Sequence, residues 1–495
     1  MTSLTPPPSV KLRPYAVIVA IFMVIEFTGV FEQVMVYTAI PTLMKAFQLD
    51  AAAISWAVTV FLLVGAGTAA IAGRLGDIYG RKKVLVALMI ISAVGSIISI
   101  IAGNFEGILV GRALQGTSAA LFPLLAGIAR ETVPAPRVPV LISLTTGVSI
   151  IGGSLAALAA GILLDTSGWH SIFVASGILA IIALLVALGL PRSVVSTEPR
   201  ARLDILGAVV MAPAIAAILF GVNTARSQGA SALVIGLIGI GAILFAFWIV
   251  WELRIKNPMF NLRLFKRRSL VLTLVATAAA GLGIFAATAL ITPILQQSPA
   301  SLPVGLGLTP TEAGLYGLIS GVLGFALSPV GGRIASKFGA KVTLALGFGI
   351  AIIGSVLFIF SVHSLPLSIV AVVVTGLGTA LILVGIPNII VELVSASDTS
   401  EAVGLIFSVG RTLFAAIGTA IVGIILASST VPGTTAPSVA AWNSTLIYVI
   451  ITAVIGLIVT IIIRKVKPMD QRGTVVEAVA EVQAEAASEN PVISH

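Results

Sequence analysis

Glu26 and Glu32 are the residues of this chain that most directly invite chemistry. They lie six positions apart in an apolar stretch running from Pro14 to Pro41. An ionised acid at the centre of a bilayer costs about 2.5–3.5 kcal/mol, so both must face protein, water or each other. Six helical positions give about 9 Å of rise and about 120° of rotation. The pair is therefore expected to border one central cavity without sharing a hydrogen bond. Neutralising such an acid is cheaper than burying its charge, as a proton carrier requires. The alternative for each acid is a structural hydrogen bond to a neighbouring helix. Arg112, in another apolar stretch, is the natural charge partner, with a tie to backbone carbonyls as its alternative. Gln115, one turn on, orients Arg112 or lines the cavity. Arg411 contacts an anionic solute, faces the two glutamates, or snorkels to the membrane surface.

Tyr37, Trp56, Phe61 and Asn388, which follows Pro387, are candidates for the cavity wall. Aromatic rings beside carboxylates suit lipophilic cations through cation–π contact; packing and lipid anchoring compete with that reading. The chain has no Cys and three His (His170, His363 and His495), none inside an apolar segment. Metal clusters, histidine relays and thiolate chemistry are accordingly not expected. No Walker motif occurs, so ATP is not the expected energy source.

The elements that position these residues follow from composition. Of 495 residues, 58% are apolar and 9% charged, against about 25% charged in soluble domains. The mean hydropathy is +1.15. This excludes a soluble enzyme, a nucleic-acid binder and a disordered scaffold, and leaves an all-α polytopic membrane protein. About 20 apolar residues cross the hydrocarbon. On that basis fourteen spans are expected, at 15–40, 52–73, 82–102, 106–130, 139–163, 171–190, 205–225, 231–251, 270–295, 312–334, 342–361, 366–394, 403–428 and 442–463. The first is too long, and too acidic, for a signal-peptide core.

Net charge is +9. Twenty-four of the 28 basic residues fall in the tails or in loops on one side; Lys45 and Arg226 fall on the other, and Arg112 and Arg411 within spans. The positive-inside rule then puts both termini in the cytoplasm. The charge is topology rather than nucleic-acid binding. The C-terminal tail carries Glu477, Glu481, Glu485 and Glu489 at four-residue spacing and reads as a solvated segment.

A repeat organises the spans. Gly73-Arg-Leu-Gly-Asp-Ile-Tyr-Gly-Arg-Lys-Lys83 and Gly332-Arg-Ile-Ala-Ser-Lys-Phe-Gly-Ala-Lys341 align at an offset of 259 residues, glycine on glycine and lysine on lysine. With the two-helix block 205–252 removed, the offset is six helices, a plan of parallel halves around a midplane site. The first segment resembles the loop 2–3 signature of the major facilitator superfamily. Leu109-Val-Gly-Arg-Ala-Leu-Gln-Gly-Thr-Ser-Ala-Ala120 resembles its fourth-helix motif. Phe31 to Pro41 is similar to the first-helix motif of its fourteen-helix drug:proton antiporters, with Glu32 where aspartate is usual and Tyr37 where asparagine is usual. Leu203–Gly207 and Glu252–Arg268 resemble that group's entry into and exit from the inserted pair. In helix five the stretch Ala156-Ala-Leu-Ala-Ala-Gly161 lacks the proline of the antiporter motif, which keeps symport beside antiport.

The resemblance implies two six-helix bundles, 15–190 and 269–464, with two inserted helices in 191–268 and cytoplasmic tails at 1–14 and 465–495. It implies proton coupling through Glu32 and Arg112, to which the intramembrane position of Glu26 adds that acid. It also implies a cytoplasmic gate of Gly73, Asp77, Gly80 and Arg81, where Asp77 meets a basic residue or a helix N-terminus of the other half. The expected function is proton-driven export of lipophilic, cationic compounds from the cell membrane, without a cofactor and as a monomer. Its partners are solute, protons and lipid. Export of an endogenous amphiphile such as a lipid or siderophore, uptake by symport, and a transport-inactive receptor or scaffold are the alternatives.

Overall fold

The computed structural model describes residues 14–133, 138–191, 205–228, 231–255, 267–393, 406 and 410–463. Among the described residues, fourteen helical elements coincide with the expected spans. They are α1 (Tyr15–Phe47), α2 (Ala51–Tyr79), α3 (Arg81–Ile101), α4 (Phe105–Gln115 and Leu121–Thr132, joined by a 3-10 turn at Gly116–Ala120), α5 (Val138–Ser167), α6 (His170–Leu188) and α7 (Ile205–Gln228). They continue as α8 (Ala232–Arg254), α9 (Arg268–Ala280 and Ala286–Gln297 around a π-helical turn at Gly281–Phe285), α10 (Pro310–Phe338), α11 (Ala340–Phe360), α12 (Leu365–Leu393), α13 (Arg411–Leu426) and α14 (Val439–Ile462). Twelve are long and apolar enough to cross a bilayer; α7 and α13 carry shorter apolar stretches, Val209–Val222 and Arg411–Leu426. The N-tail, the segments 192–204, 256–266 and 394–405, and the C-tail with its four glutamates lie outside the described residues.

Local chemistry sets the helix ends. Gln48, left-handed at φ 53°, closes α1, and two residues later the Asp50 carboxylate accepts from Ala53 N to open α2, as N-caps do. Asn104 opens α4 and Ser438 opens α14 in the same way. At the repeat, one residue each turns α2 into α3 and α10 into α11: Gly80 at φ 94° and Gly339 at φ 91°. These backbone positions favour glycine, which accounts for the glycine at both ends of the 259-residue offset.

The repeat extends into side-chain contacts. Lys82 Nζ donates to the carbonyls of Leu188 and Leu190 at 2.8 and 2.5 Å, and Lys341 Nζ to those of Ile461 and Ile463 at 2.5 and 2.7 Å. Each lysine supplies the unpaired carbonyls at the end of α6 or α14, where a cation is favoured.

Helices α1–α6 pack among themselves, as do α9–α14. The two sets meet along α5–α10, α2–α13 and α1–α9, while α7 pairs with α8 and rests against α2 and α13. Small residues allow close approach: a Cβ on Gly95 would lie 2.5 Å from the Gly111 carbonyl oxygen, so α3 and α4 nearly touch there. Rows of large apolar side chains such as Ile97, Ile182, Ile243 and Ile458 face outward, toward lipid rather than water.

Candidate functional site

The structure gives the two acids of α1 different surroundings. Glu32 is 0% exposed. The Ser92 hydroxyl of α3 lies 2.6 Å from both carboxylate oxygens, and the Ser176 hydroxyl of α6 lies 3.5 Å from Oε1. Ser96 and Ser176 share a hydrogen bond of 2.9 Å, and Gln115 Nε2 donates to Ser96 at 2.8 Å and to Ser176 at 3.1 Å.

Arg112, also 0% exposed, anchors this network from α4. Its Nε donates to the Ala57 carbonyl at 3.1 Å, and its Nη1 donates to the Glu32 carbonyl at 2.6 Å and to Gln115 Oε1 at 2.9 Å. The guanidinium lies 4.1 Å above the Phe61 ring, within cation–π range. Nη2 is buried without a hydrogen-bond partner. The 3-10 turn brings α4 against α2 here: a Cβ on Gly116 would collide with the Phe61 carbonyl oxygen. Arg112 thus reaches Glu32 through its main chain, the backbone tie of the sequence reading, and holds α1, α2 and α4 in one register.

Glu26 is 8% exposed and accepts from the Ser149 hydroxyl of α5. It lies within electrostatic range of Arg411 from α13, and so does Tyr37. Gln33 Nε2 donates to Tyr37 Oη at 3.2 Å. Spacings of seven and four place Glu26, Gln33 and Tyr37 along one side of α1, with Glu32 a third of a turn away. The expectation that both acids border one cavity is corrected accordingly. Glu26 faces the α5 seam and the opposite half, whereas Glu32 is enclosed within α1–α6.

Four residues expected at the cavity wall have partners of their own. Phe61, 1% exposed, serves as the platform beneath Arg112, and Gln115, 0% exposed, orients Arg112 from inside the bundle. Trp56 meets Phe220 of the inserted helix α7 edge-on at 6.0 Å. Asn388 bonds the Val384 carbonyl of its own helix at 2.7 Å, beside Pro387, which cannot donate to the turn before it. Of the expected gate, Gly80 forms the α2–α3 turn and Arg81 Nη1 donates to the Gly127 carbonyl of α4 at 3.2 Å, within the same half. Gly73 and Asp77 lie in the helical backbone of α2; their surroundings fall outside the described residues. The sequence reading missed Ser92, Ser96, Ser149 and Ser176, for which the four-residue spacing of Ser92 and Ser96 was the one available signal. Among the described residues no group of three or more acids or histidines could hold a metal ion.

A family model described as Major Facilitator Superfamily matches residues 22–296 and 273–491. The uridine/deoxyuridine transporter of Lactococcus lactis subsp. cremoris is 31% identical over 371 residues, covering 72% of this chain and 75% of that protein. Multidrug resistance protein Stp of Mycobacterium tuberculosis is 28% identical over 402 residues, covering 80% and 73%. The crystal structure of nucleoside transporter NupG superposes with a TM-score of 0.63 at 14% identity, covering 90% of this chain and 99% of that one. By its helical architecture and by a family match that spans both halves, the chain belongs to the Major Facilitator Superfamily of membrane transporters.

Proposed function

We propose that the chain is a proton-coupled antiporter of the fourteen-helix drug-efflux group, exporting lipophilic cationic compounds by alternating access, with no enzymatic activity and no cofactor. The observation that carries this reading is that the two acids of α1 have different surroundings. Glu32, enclosed by Ser92 and Ser176 and braced by Arg112, holds a proton away from solute. Glu26, at the α1–α5 seam near Arg411, is where a proton and a cationic solute compete. The likeness to a multidrug resistance protein supports export.

In this reading the bundles 15–190 and 269–464 rock about the solute, and Gly73, Asp77, Gly80 and Arg81 form the cytoplasmic gate. The inserted pair in 191–268 flanks the α2–α13 seam. The protein sits in the cell membrane as a monomer with both tails cytoplasmic. A second reading is transport of a nucleoside-like solute, which the 31% identity to a uridine/deoxyuridine transporter favours.

Proteoliposomes under pH gradients of both signs test the two readings. A lipophilic monocationic dye moving against the proton gradient supports cation antiport. Uridine moving with protons while the dye does not would replace it with the second reading.

A further inference from the structure

The hydrogen bonds that join α1–α6 to α9–α14 include three between described residues. Thr59 Oγ1 donates to the Ala416 carbonyl at 3.4 Å, Gln297 Nε2 to the Thr38 carbonyl at 2.9 Å, and Thr311 N to Asp165 Oδ2 at 2.9 Å. All three lie toward the end of the bundle that holds the α1–α2 turn, opposite the glycine turns of the repeat. Asp165 supplies the charged acceptor.

The reason Asp165 matters is an accounting of the start of α10. A helix leaves its first amide groups without intrahelical partners. Here Pro310 has no N–H to satisfy. Glu312 N is taken by the Thr309 side chain at 3.2 Å, and Ala313 N by the Thr309 carbonyl at 3.0 Å. The Glu312 carboxylate closes the capping box on Thr309 N at 2.8 Å. Thr311 N is the donor left over, and its acceptor comes from α5, on the opposite half. While the halves are closed at this end, the carboxylate of Asp165 rather than water completes the N-terminus of α10. A carboxylate there also faces the positive end of the helix. The approach is set by Gly161, where a Cβ would collide with the Pro310 carbonyl oxygen.

We infer that Asp165 is the latch of the outer gate: it completes the N-terminus of α10 across the α5–α10 seam and must release Thr311 before the protein opens outward. The inference deepens the alternating-access reading and rests on it.

The test uses the natural absence of cysteine in this chain. A single reporter, Ser55→Cys, sits on the other seam, where Ser55 is buried against Gly423 of α13, so fraying of α5–α10 alone does not expose it. A carboxylate at an exposed helix N-terminus contributes up to about 1 kcal/mol, or about fivefold in an equilibrium. Asp165→Ala is expected to raise the alkylation rate of Ser55→Cys by an impermeant maleimide about fivefold in vesicles. Asp165→Asn, which keeps a neutral acceptor, is expected to raise it less. Equal rates in parent, Asp165→Asn and Asp165→Ala overturn the latch, as does a rise in Asp165→Ala that a melting curve attributes to global unfolding. Dye and uridine flux in the same vesicles keeps the two readings apart. A rate rise without flux in the parent leaves the latch standing and removes both solute readings; flux in the parent with equal rates removes the latch and leaves the reading of the solute that moved.

Discussion

Replacing Glu32 by Gln is the substitution that separates proton chemistry from architecture. The Ser92 hydroxyl reaches both carboxylate oxygens at 2.6 Å, so it still finds an acceptor in a carboxamide. The new amide N–H group has Ser176 Oγ as an acceptor on the side where that hydroxyl now lies 3.5 Å away. Arg112 keeps its hydrogen bond, which goes to the main-chain carbonyl of residue 32. With every partner kept, the stability cost is at most about 1 kcal/mol, one neutral hydrogen bond. Glu32→Ala differs: it leaves the Ser92 hydroxyl unpaired and opens a buried void, for a loss of about 3 kcal/mol. Transport responds in the opposite sense to stability, since Gln carries no titratable proton. Dye accumulation driven by a pH gradient is expected to fall to the leak rate in Glu32→Gln, while dye–dye exchange without a gradient persists. The assay is paired flux in proteoliposomes, with thermal unfolding in detergent. Undiminished gradient-driven flux would refute the proton role, and unfolding of Glu32→Gln as severe as that of Glu32→Ala would refute the hydrogen-bond accounting.

Glu26→Gln is expected to impair export of dicationic dyes more than monocationic ones, because it removes the second acid at the seam; equal losses in a matched-dye assay count against this. Arg112→Lys cannot serve Ala57, Glu32 and Gln115 from one ammonium, so a loss of about 2–4 kcal/mol is expected, from one or two charge-assisted bonds, read as a lowered unfolding midpoint. Lys82→Met and Lys341→Met are expected to cost about 1 kcal/mol each and to add in the double variant, since they act in separate bundles; strongly unequal melting shifts would show that the repeat is not a structural equivalence. Asp77→Asn is expected to shift the inward–outward balance without removing dye binding, and identical cysteine labelling of both faces in variant and parent would contradict a gating role.

The fourteen helices were legible in the sequence because spanning a bilayer demands only length and apolarity, which hydropathy measures directly. Their ends were less so. The first span was expected to stop at residue 40, yet α1 runs on to Phe47 through Pro41, since neighbouring helices compensate a proline within a membrane helix. The irregular turns at Gly116–Ala120 and Gly281–Phe285 arise from helix–helix approach rather than local propensity, and no window of sequence contains that approach. The same limit separated Glu26 from Glu32. Their 120° offset was legible, but which neighbours fill each direction is decided by packing. Trp56 shows the point most simply, since its partner Phe220 belongs to an inserted helix whose docking place the sequence does not encode locally.

The repeat explains why the polar chemistry concentrates in one half. At the 259-residue offset Gly95 meets Gly354 and Ser96 meets Ser355, so α3 and α11 share the same small-residue face. In the first half that face opens onto Glu32, Arg112, Gln115 and Ser176, which fill the space between α1, α3, α4 and α6 with a hydrogen-bonded network. In the second half Ser355 borders a pocket among α9, α11, α12 and α14, lined by Thr288, Thr292 and Thr375 together with Ile284, Phe358 and Leu446. Two copies of one scaffold thus hold a charged network and an uncharged, hydroxyl-dotted space. A second buried charge network would carry its own desolvation cost, whereas a neutral counterpart lets the second half repack as the bundles rock. On the proton-coupled reading proposed above, asymmetry in side chains on a symmetric backbone keeps the Glu32 proton within α1–α6.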